Sequence, residues 1–315
     1  LIKDKSIRNK QIVIFDNWSY GRGAAPLNFL FQKYKNIKIY SHDISNNKLN
    51  SYKRFKSEVI SCNYFINLAS LTQVPDTILH HKYIVNGVKN ITSILNKNKN
   101  IKKIIDISST SIYGSVKFDK SLLKIKEPYA ETVFPNPKFS LHSYASSKLK
   151  AEKIWLKTKL PYLVLRLSTV YGYGPGLRYN QFINSFIIDS LLGKKIIVPG
   201  DPKNFRPFVH INDLTNIFIK LLLCDAKGEI LNIGSKDQNI KLDEIYKIVS
   251  KQIKKITSVK CKYSFESKYQ KPKINESYIV SFDKFKKLLN FKFRYNFENS
   301  TTDYLKCLNS NETKF

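Results

Sequence analysis

A short apolar segment runs into a cluster of hydroxyl side chains in the stretch Ile107-Ser-Ser-Thr-Ser-Ile-Tyr-Gly114. Further along the chain, Tyr144-Ala-Ser-Ser-Lys148 opens a segment in which apolar residues recur at helical spacing. Polar residues that follow a parallel strand lie at the carboxyl edge of the sheet, where open α/β folds bind their ligands. The two stretches therefore predict a strand, a polar strand end and a helix that together form a candidate site.

The alternation of apolar strands and amphipathic helices extends over most of the chain. The predicted strands are Ile12–Phe15, Ile37–Tyr40, Tyr64–Asn67, Lys103–Ile107, Tyr162–Leu167, Ile196–Val198 and Ile230–Asn232. The predicted helices are His80–Asn96, Tyr144–Thr158, Gln181–Leu192, Asn212–Leu223 and Leu242–Lys254. This order is typical of an α/β fold with a doubly wound parallel sheet and crossover helices.

The alternation becomes irregular after Leu167, which indicates two domains. We expect a first domain over residues 1–167 and a smaller second lobe formed mainly by residues 168–315.

The composition excludes several classes of protein. The 315 residues are 42% hydrophobic and 13% aromatic, which is enough apolar material for a sizeable core and argues against disorder. No apolar segment approaches the ~18 residues of a membrane span, so no membrane partner is expected. The four cysteines lack the spacing of zinc or redox sites, which indicates a reducing, cytoplasmic compartment.

Two features of the composition are unusual: a formal net charge of +30 and the absence of methionine. A charge of this size raises the question of a polyanionic partner. However, 47 of the 54 basic residues are lysines, whereas nucleic-acid readers favour arginine for bidentate contacts. We therefore interpret the charge as a solvated lysine-rich surface and expect no nucleic-acid partner, with a polyanion-binding surface as the alternative.

Tyr144 and Lys148 lie about one helical turn apart, on one face of the predicted helix. An ammonium close to a phenol favours the phenolate, which can take a proton from a substrate hydroxyl. The pair therefore predicts a general base. A tyrosine ring that merely covers a lysine side chain is the structural alternative.

Four ordered motifs resemble those of the extended short-chain dehydrogenase/reductases, the NAD-dependent sugar-nucleotide epimerases and dehydratases. The motifs are Ile107–Gly114, Tyr144–Lys148, Arg166-Leu-Ser-Thr-Val-Tyr-Gly172 and Arg206-Pro-Phe-Val-His-Ile-Asn-Asp213, with further similarity at Asn67-Leu-Ala-Ser70, Asn86-Gly87 and Asn232-Ile-Gly234. The resemblance implies a Rossmann-like fold in which residues 1–167, together with residues of about 207–235 that return to this domain, bind NAD as the cofactor. It also implies a nucleotide-diphosphate sugar as the substrate, bound mainly by residues 168–315. Because members commonly pair through a four-helix interface, a homodimer is one expectation, although the sequence leaves the oligomeric state open.

The resemblance also implies which residues are catalytic. Tyr144 and Lys148 match the catalytic pair of the family. The third catalytic residue of the family carries a hydroxyl group and lies shortly before a Tyr-Gly pair. The spacing from this pair selects Ser109, and Ser108 and Thr110 are the alternatives if the count is shifted by one residue. A cap at the end of a strand is the structural alternative for these hydroxyls.

The glycine-rich turn through which family members bind the cofactor pyrophosphate has no clear counterpart. The only early candidate is Gly21-Arg22-Gly23, after the strand at 12–15. If that strand were the first of the fold, the third would have to fit into residues 58–60. We therefore assign 12–15 to the second strand and expect the first strand and the glycine turn before Leu1, with a degenerate loop in a complete protein as the alternative.

This strand register implies a set of cofactor-binding residues. Asp16 would bind the adenosine ribose, and its carboxylate would repel a 2′-phosphate, which favours NAD over NADP. An aspartate that only initiates a turn is the alternative. The cofactor-binding candidates are Asp16, Asn17, Asp43, Ile44, Leu68, Ala69, Asn86, Tyr144 and Lys148.

The residues after Ser109 bear on the type of reaction. In the family's 4,6-dehydratases and a related decarboxylase, acidic residues directly follow the catalytic hydroxyl, whereas Thr110 and Ser111 occupy these positions here. The resemblance therefore favours an epimerase (an isomerase) that works by transient hydride transfer through a keto-sugar and serves polysaccharide synthesis. The alternatives are a dehydratase or reductase of the same family and, from another class, a non-catalytic nucleic-acid-binding or scaffold member.

The resemblance also implies a group of substrate-binding residues. The candidates are Ser109, Thr169, Arg178, Asn184 and Arg206. Arg206 is expected on the substrate diphosphate, which a guanidinium binds with two parallel hydrogen bonds. His210 is interpreted as a packed residue, and the five histidines show no metal-ligand spacing, so no metal is expected.

Overall fold

The computed structural model describes residues 9–18, 34–46, 53–71, 77–113, 143–174, 177, 179, 181–266 and 279–309. The strands are β1 (Ile12–Asp16), β2 (Ile37–Ser41), β3 (Tyr64–Asn67), β4 (Lys103–Ser109), β5 (Tyr162–Leu167), β6 (Thr169–Tyr171), β7 (Lys195–Val198), β8 (Phe205–His210), β9 (Glu229–Ile233), β10 (Asn239–Lys241) and β11 (Lys262–Phe265). The α-helices are α1 (Lys53–Ser61), α2 (Thr77–His80), α3 (Gly87–Leu95), α4 (Ser143–Trp155), α5 (Phe182–Leu191), α6 (Ile211–Leu223), α7 (Leu242–Thr257), α8 (Asp283–Leu289) and α9 (Phe297–Asn309).

The chain divides into two compact units. The first contains the described residues within Leu1–Ile112, Ser140–Arg166 and Phe218–Leu231. The second contains those within Tyr113–Phe139, Leu167–Ile217 and Asn232–Phe315. Segments that are distant in sequence therefore come together in each unit.

The strands of the first unit form two sheets. In one, β1 and β2 pair in parallel, with Ile12 opposite Ile37. In the other, the strand order is β3-β4-β5-β9, and β3 and β4 pair in parallel. No strand within the described ranges joins the two sheets. Parallel strands alternating with helices confirm the predicted α/β fold.

Helix α1 contains residues 58–60, so these residues do not form a strand. Gly21-Arg22-Gly23 lies outside the described residues.

The core of the first unit is formed by helices α1, α3 and α4 packed against strands. Its fully buried side chains include Phe55, Ile91, Ile94, Ile104, Trp155 and Val164. In α4, buried positions recur every three to four residues, which turns one face of the helix inward. That face carries Lys148 and Glu152 as well as apolar residues.

The helix predicted over 80–96 begins earlier and changes its winding. Between α2 and α3 the segment His81–Asn86 is a π-helix, in which each N–H bonds five residues back. Gly87 then allows α3 to approach the chain after β2, because a Cβ there would lie 2.8 Å from Cδ1 of Ile44. Asn90 reinforces this contact by donating from Nδ2 to the carbonyl oxygen of Ile44 at 2.9 Å.

The second unit combines small sheets with an aromatic core. Strand β8 pairs in parallel with β6 and antiparallel with β10, and β7 pairs in parallel with β11. The rings of Tyr171, Phe208 and Phe297 contact one another, with centroid distances from 4.6 to 6.1 Å. Among the residues described in either unit, no helix has both the length and the apolar character needed to cross a bilayer.

Candidate functional site

Helix α4 carries the predicted base and its lysine in its first two turns. Lys148 is only 3% exposed, and its Nζ donates a hydrogen bond to the carbonyl oxygen of Ile107 at 2.5 Å. The same Nζ lies 5.8 Å from the centroid of the Tyr144 ring. The structure therefore brings the two residues together and connects them to the carboxyl-terminal part of β4.

The three hydroxyls at the end of β4 differ in their surroundings. Ser108 is buried, and its Oγ donates to Oε1 of Glu152. Thr110 is also buried, at the start of a short 3₁₀ turn. Ser109 is half-buried, and its Oγ accepts the backbone N–H of Ser111 at 3.1 Å. Of these three hydroxyl residues, Ser109 is the most accessible to solvent.

A buried carboxyl group on β4 lies next to the pair. Asp106 accepts a hydrogen bond from Nδ2 of Asn67, its neighbour on β3, at 2.6 Å. Burial raises the pKa of Asp106, and the positive charge of Lys148 and the bond from Asn67 only partly oppose this effect. The environment of Lys148 therefore contains a carboxyl that favours its neutral form.

An ion pair on the inward face of α4 was missed by sequence reasoning. Glu152 accepts from Nε of Arg166 at 3.0 Å and from Nη2 at 2.6 Å, and both side chains are almost fully buried. The sequence did hold a signal: Glu152 lies one turn after Lys148, and Arg166 interrupts the apolar strand β5. The pair connects α4 to β5 and, through Ser108, to β4.

His80 is a second residue whose position sequence reasoning missed. It ends α2 and is 5% exposed, and its Nδ1 lies 2.6 Å from Oγ of Ser143, the first residue of α4. Its ring meets the Tyr144 ring edge-on at 5.8 Å between centroids. No local sequence signal connects residues 80 and 143, because the contact depends on how the two helices pack.

Two of the cofactor candidates are aspartates at the ends of β1 and β2. Oδ1 of Asp16 accepts the backbone N–H of Trp18 at 2.7 Å. Oδ1 of Asp43 accepts both the N–H of Ser45, at 2.8 Å, and its hydroxyl, at 2.7 Å. Both carboxylates therefore form turns of the kind that aspartate favours, and Asp16 is exposed.

The other cofactor candidates also follow strands or end helical turns. Asn17 lies in the turn after β1, and the backbone of Ile44 after β2 is bonded to α3. After β3, Leu68 is 62% exposed, and the N–H of Ala69 donates to the Asn67 side chain at 3.3 Å. Asn86 is the last residue of the π-helix.

The chemistry of these groups fits a dinucleotide. Asp16 offers an exposed carboxylate that can accept from ribose hydroxyls, and Leu68 offers exposed apolar surface to a flat ring. Lys148 adds an ammonium beside the half-buried Tyr144. Asp16 and Leu68 lie at or next to the carboxyl ends of strands, where α/β folds bind their ligands. Tyr144 and Lys148 lie on α4, which is held at the end of β4 by the bond from Lys148.

The substrate candidates other than Ser109 belong to the second unit. Thr169 begins β6 opposite Phe208, and Arg206 is half-buried on β8 opposite Ile240. Asn184 is buried inside α5 and does not cap it, since Gln181 precedes the helix. Arg178 lies outside the described residues.

His210 is a packed residue, as interpreted from the sequence. Its ring stacks on Tyr295 at 3.9 Å and 11°, and its Nδ1 accepts the N–H of Asn212 at 3.2 Å. Burial lowers the pKa of His210 to about 4, because the charged form would be desolvated. In the part of the chain that the structure describes, no group of three His, Cys, Asp or Glu residues could hold a metal ion.

Comparison with known families identifies the class of protein. The model of the NAD dependent epimerase/dehydratase family matches residues 9–234. The chain therefore belongs to this family of NAD-dependent nucleotide-sugar dehydratases and epimerases. NAD is the cofactor of the family, which confirms the predicted cofactor.

Curated relatives include several dehydratases. The chain is 27% identical over 258 residues to dTDP-D-glucose 4,6-dehydratase of Dictyostelium discoideum, covering 78% of this chain and 57% of that protein. It is 24% identical over 254 residues to an Arabidopsis thaliana protein that is named as a trifunctional 4,6-dehydratase, 3,5-epimerase and reductase. This similarity covers 77% of this chain and 36% of that protein. The chain thus spans little more than half of the first relative and about a third of the second.

Solved structures of both enzyme types share the fold. A dTDP-glucose 4,6-dehydratase from Bacillus anthracis in complex with NAD has a TM-score of 0.73 at 22% identity, covering 98% of this chain and 90% of that chain. A UDP-glucuronic acid 4-epimerase from Bacillus cereus in complex with UDP-glucuronic acid and NAD has a TM-score of 0.74 at 20% identity, covering 96% and 93%. These similarities establish the Rossmann-like fold.

Proposed function

We propose that this protein is an NAD-dependent nucleotide-sugar epimerase. The observation that carries the proposal is the arrangement at the end of β4. A buried ammonium, Lys148, lies beside the Tyr144 ring, and the accessible hydroxyl of Ser109 is followed by Thr110 and Ser111 instead of acids.

In the proposed reaction, Tyr144 and Ser109 act on one hydroxyl group of the sugar. Ser109 Oγ holds the hydroxyl oxygen, and the Tyr144 phenolate accepts its proton. The ammonium of Lys148 favours the phenolate by its positive charge. When bound, NAD would accept the hydride that leaves when the carbinol becomes a ketone, and it would return that hydride to the opposite face once the keto-sugar has turned over in the site. Return of the proton from Tyr144 then completes the new configuration.

Arg206 is proposed to bind the substrate diphosphate, because its guanidinium can form two parallel hydrogen bonds with phosphate oxygens. Thr169 and Asn184 are weaker candidates, since Asn184 is buried inside α5. Asp16 is proposed to bind the adenosine ribose of NAD through its exposed carboxylate.

A dehydratase is the second candidate, and the dehydratase names of the curated relatives favour it. Elimination of water needs a group that can protonate the leaving hydroxyl. Neither Thr110 nor Ser111 carries a carboxyl group. Among the described residues around the end of β4, the acids Asp106 and Glu152 are buried and already bonded to Asn67 and Arg166.

The test incubates the purified protein and NAD with a panel of UDP- and dTDP-linked sugars and analyses the products by chromatography and mass spectrometry. We expect a product of unchanged mass without net consumption of NAD. Tyr144→Phe should lower the rate by about 10²–10⁴-fold, the range typical of a lost general base. The control is Tyr64→Phe, which removes a hydroxyl from an exposed tyrosine on β3 and should leave the rate unchanged.

Any of the following results would contradict the proposed epimerase activity. A product lighter by one water would show a dehydratase, and consumption of NADH in a parallel incubation that contains NADH would show a reductase. Full turnover by Tyr144→Phe would refute the mechanism. Binding to RNA that weakens steeply with salt, without any sugar chemistry, would favour the non-catalytic alternative.

A further inference from the structure

We propose that His80 is a positioning residue for Tyr144, which it holds against Lys148 through Ser143. The inference rests on the proposed function, because it assigns His80 to the same site. His80 belongs to none of the motifs from which the site was predicted.

The first observation is that the Tyr144 ring has two neighbours. Nζ of Lys148 lies 5.8 Å from its centroid, and the centroid of the edge-on His80 ring also lies 5.8 Å from it. A ring that contacts two neighbours has fewer rotamers open to it than a ring that contacts one. The phenol oxygen is thereby kept where the ammonium can stabilise its charge.

The second observation is the hydrogen bond from His80 to the start of α4. Its Nδ1 lies 2.6 Å from Oγ of Ser143, the residue directly before Tyr144 in the chain. Because Ser143 is the first residue of α4, this bond also fixes where the helix begins. A shift of that first turn would move Tyr144 away from Lys148.

The third observation concerns the other ring nitrogen. Nε2 of His80 is buried and has no hydrogen-bond partner among the described residues. Burying an unpaired polar atom is unfavourable, and an apolar side chain would fill the same space without that cost. Within the described ranges, the bond to Ser143 is therefore the one hydrogen bond of this imidazole, and it is made next to the candidate base.

The π-helix gives a structural reason for this placement. It begins at His81, directly after His80, and its wider turn changes the direction of the side chains relative to a regular helix. α2 and the π-helix both pack against α4. The change from α-helix to π-helix therefore occurs directly after His80, the residue that contacts Ser143.

The test separates the hydrogen bond from the ring. His80→Phe keeps a ring but removes the bond, Ser143→Ala removes the bond from the other side, and His80→Asn retains an amide where Nδ1 lies. We expect His80→Phe and Ser143→Ala each to lower kcat about tenfold with little change in KM, because misplacement affects the reacting geometry. The double variant should lose no more than either single variant, since both remove one interaction. His80→Asn should retain most of kcat.

A second measurement does not depend on turnover. With tyrosine labelled at Cε with ¹³C, the Tyr144 signals are assigned from their loss in Tyr144→Phe, and NMR relaxation measures the mobility of the ring. His80→Phe and Ser143→Ala should increase this mobility, because the hydrogen bond that holds the start of α4 is lost. The control His81→Asn changes the adjacent histidine and should leave both kcat and the ring mobility unchanged.

The outcomes are distinct. Unchanged kcat and ring mobility in His80→Phe and Ser143→Ala would overturn the proposal, and additive losses in the double variant would do so as well. If the wild-type protein converts no nucleotide sugar, the proposed function fails, while the NMR relaxation measurement still tests the role of His80. Should His80→Phe not fold, Ser143→Ala decides, because it removes only one buried oxygen.

Discussion

At the scale of single residues, Gly172 is required by both its backbone and its surroundings. Its φ is +108°, a conformation that side chains with a Cβ rarely adopt. A Cβ there would also lie 2.6 Å from Cδ2 of His210, whose ring is held by its stack on Tyr295. Neither the backbone nor the imidazole can readily move to make room.

We therefore expect Gly172→Ala to lower the free energy of unfolding by about 2–3 kcal/mol, the sum of backbone strain and a clash. Two other glycines separate these causes. Gly193 has a φ of +70°, and no described atom lies within 4 Å of the place a Cβ would take, so Gly193→Ala should cost about 1 kcal/mol from the backbone alone. At Gly174 the described residues impose neither constraint, and alanine should be tolerated there. Urea denaturation measures all three, and equal stabilities of the Gly172 and Gly174 variants would contradict this account.

At the scale of elements, the buried pair Glu152–Arg166 holds α4 in place on the sheet. α4 presents Lys148 and Glu152 from successive turns of one face. Lys148 bonds to the backbone of β4, and Glu152 bonds to Arg166 on β5. The position of the candidate base along β4 therefore depends on two polar contacts of the same helix.

We expect Arg166→Met alone to lower the free energy of unfolding by about 3–5 kcal/mol, because it leaves the Glu152 carboxylate buried without a counter-charge. The double variant Glu152→Met/Arg166→Met should recover most of this loss, since no charge then remains buried. The matched control is Lys194→Met, which breaks the exposed pair with Asp189 (2.8 Å) and should have little effect. A double variant no more stable than Arg166→Met, measured by thermal or urea denaturation, would show that packing dominates over charge.

The elements also show how far the sequence predicts the structure. The strands Tyr64–Asn67 and Tyr162–Leu167 have the predicted bounds, because short apolar runs between turns are recognisable locally. Strand β8 (Phe205–His210) was not predicted, since Pro207 within it argues against a strand. The π-helix at His81–Asn86 was also missed, because a regular helix and a π-turn share nearly the same apolar spacing.

The candidate site was predictable where its residues are close in sequence. Tyr144 and Lys148 were found from their spacing on one helix. His80 was not found, because its partner Ser143 is distant in the chain and only packing brings them together. The same holds for the bond between Asn67 and Asp106 across two strands.

At the scale of the whole molecule, the positive charge opposes the compact state. The chain has 54 basic and 24 acidic residues, so many lysines cannot each have an acidic partner. Charges of one sign that are brought together on folding repel one another. The repulsion acts between exposed groups, and dissolved salt therefore screens it with a Debye length of about 10 Å at 0.1 M.

We expect the free energy of unfolding at neutral pH to increase on the order of 1 kcal/mol between low salt and about 0.5 M NaCl. Urea is the suitable denaturant, because it is uncharged and leaves the ionic strength unchanged while the midpoint is measured. Repeating the series near pH 10, where lysines begin to lose their charge, provides the control, and the salt effect should shrink there. A midpoint that stays constant or falls with NaCl at neutral pH would mean that the surface charges attract one another in local pairs. In that case the +30 net charge would not weaken the fold.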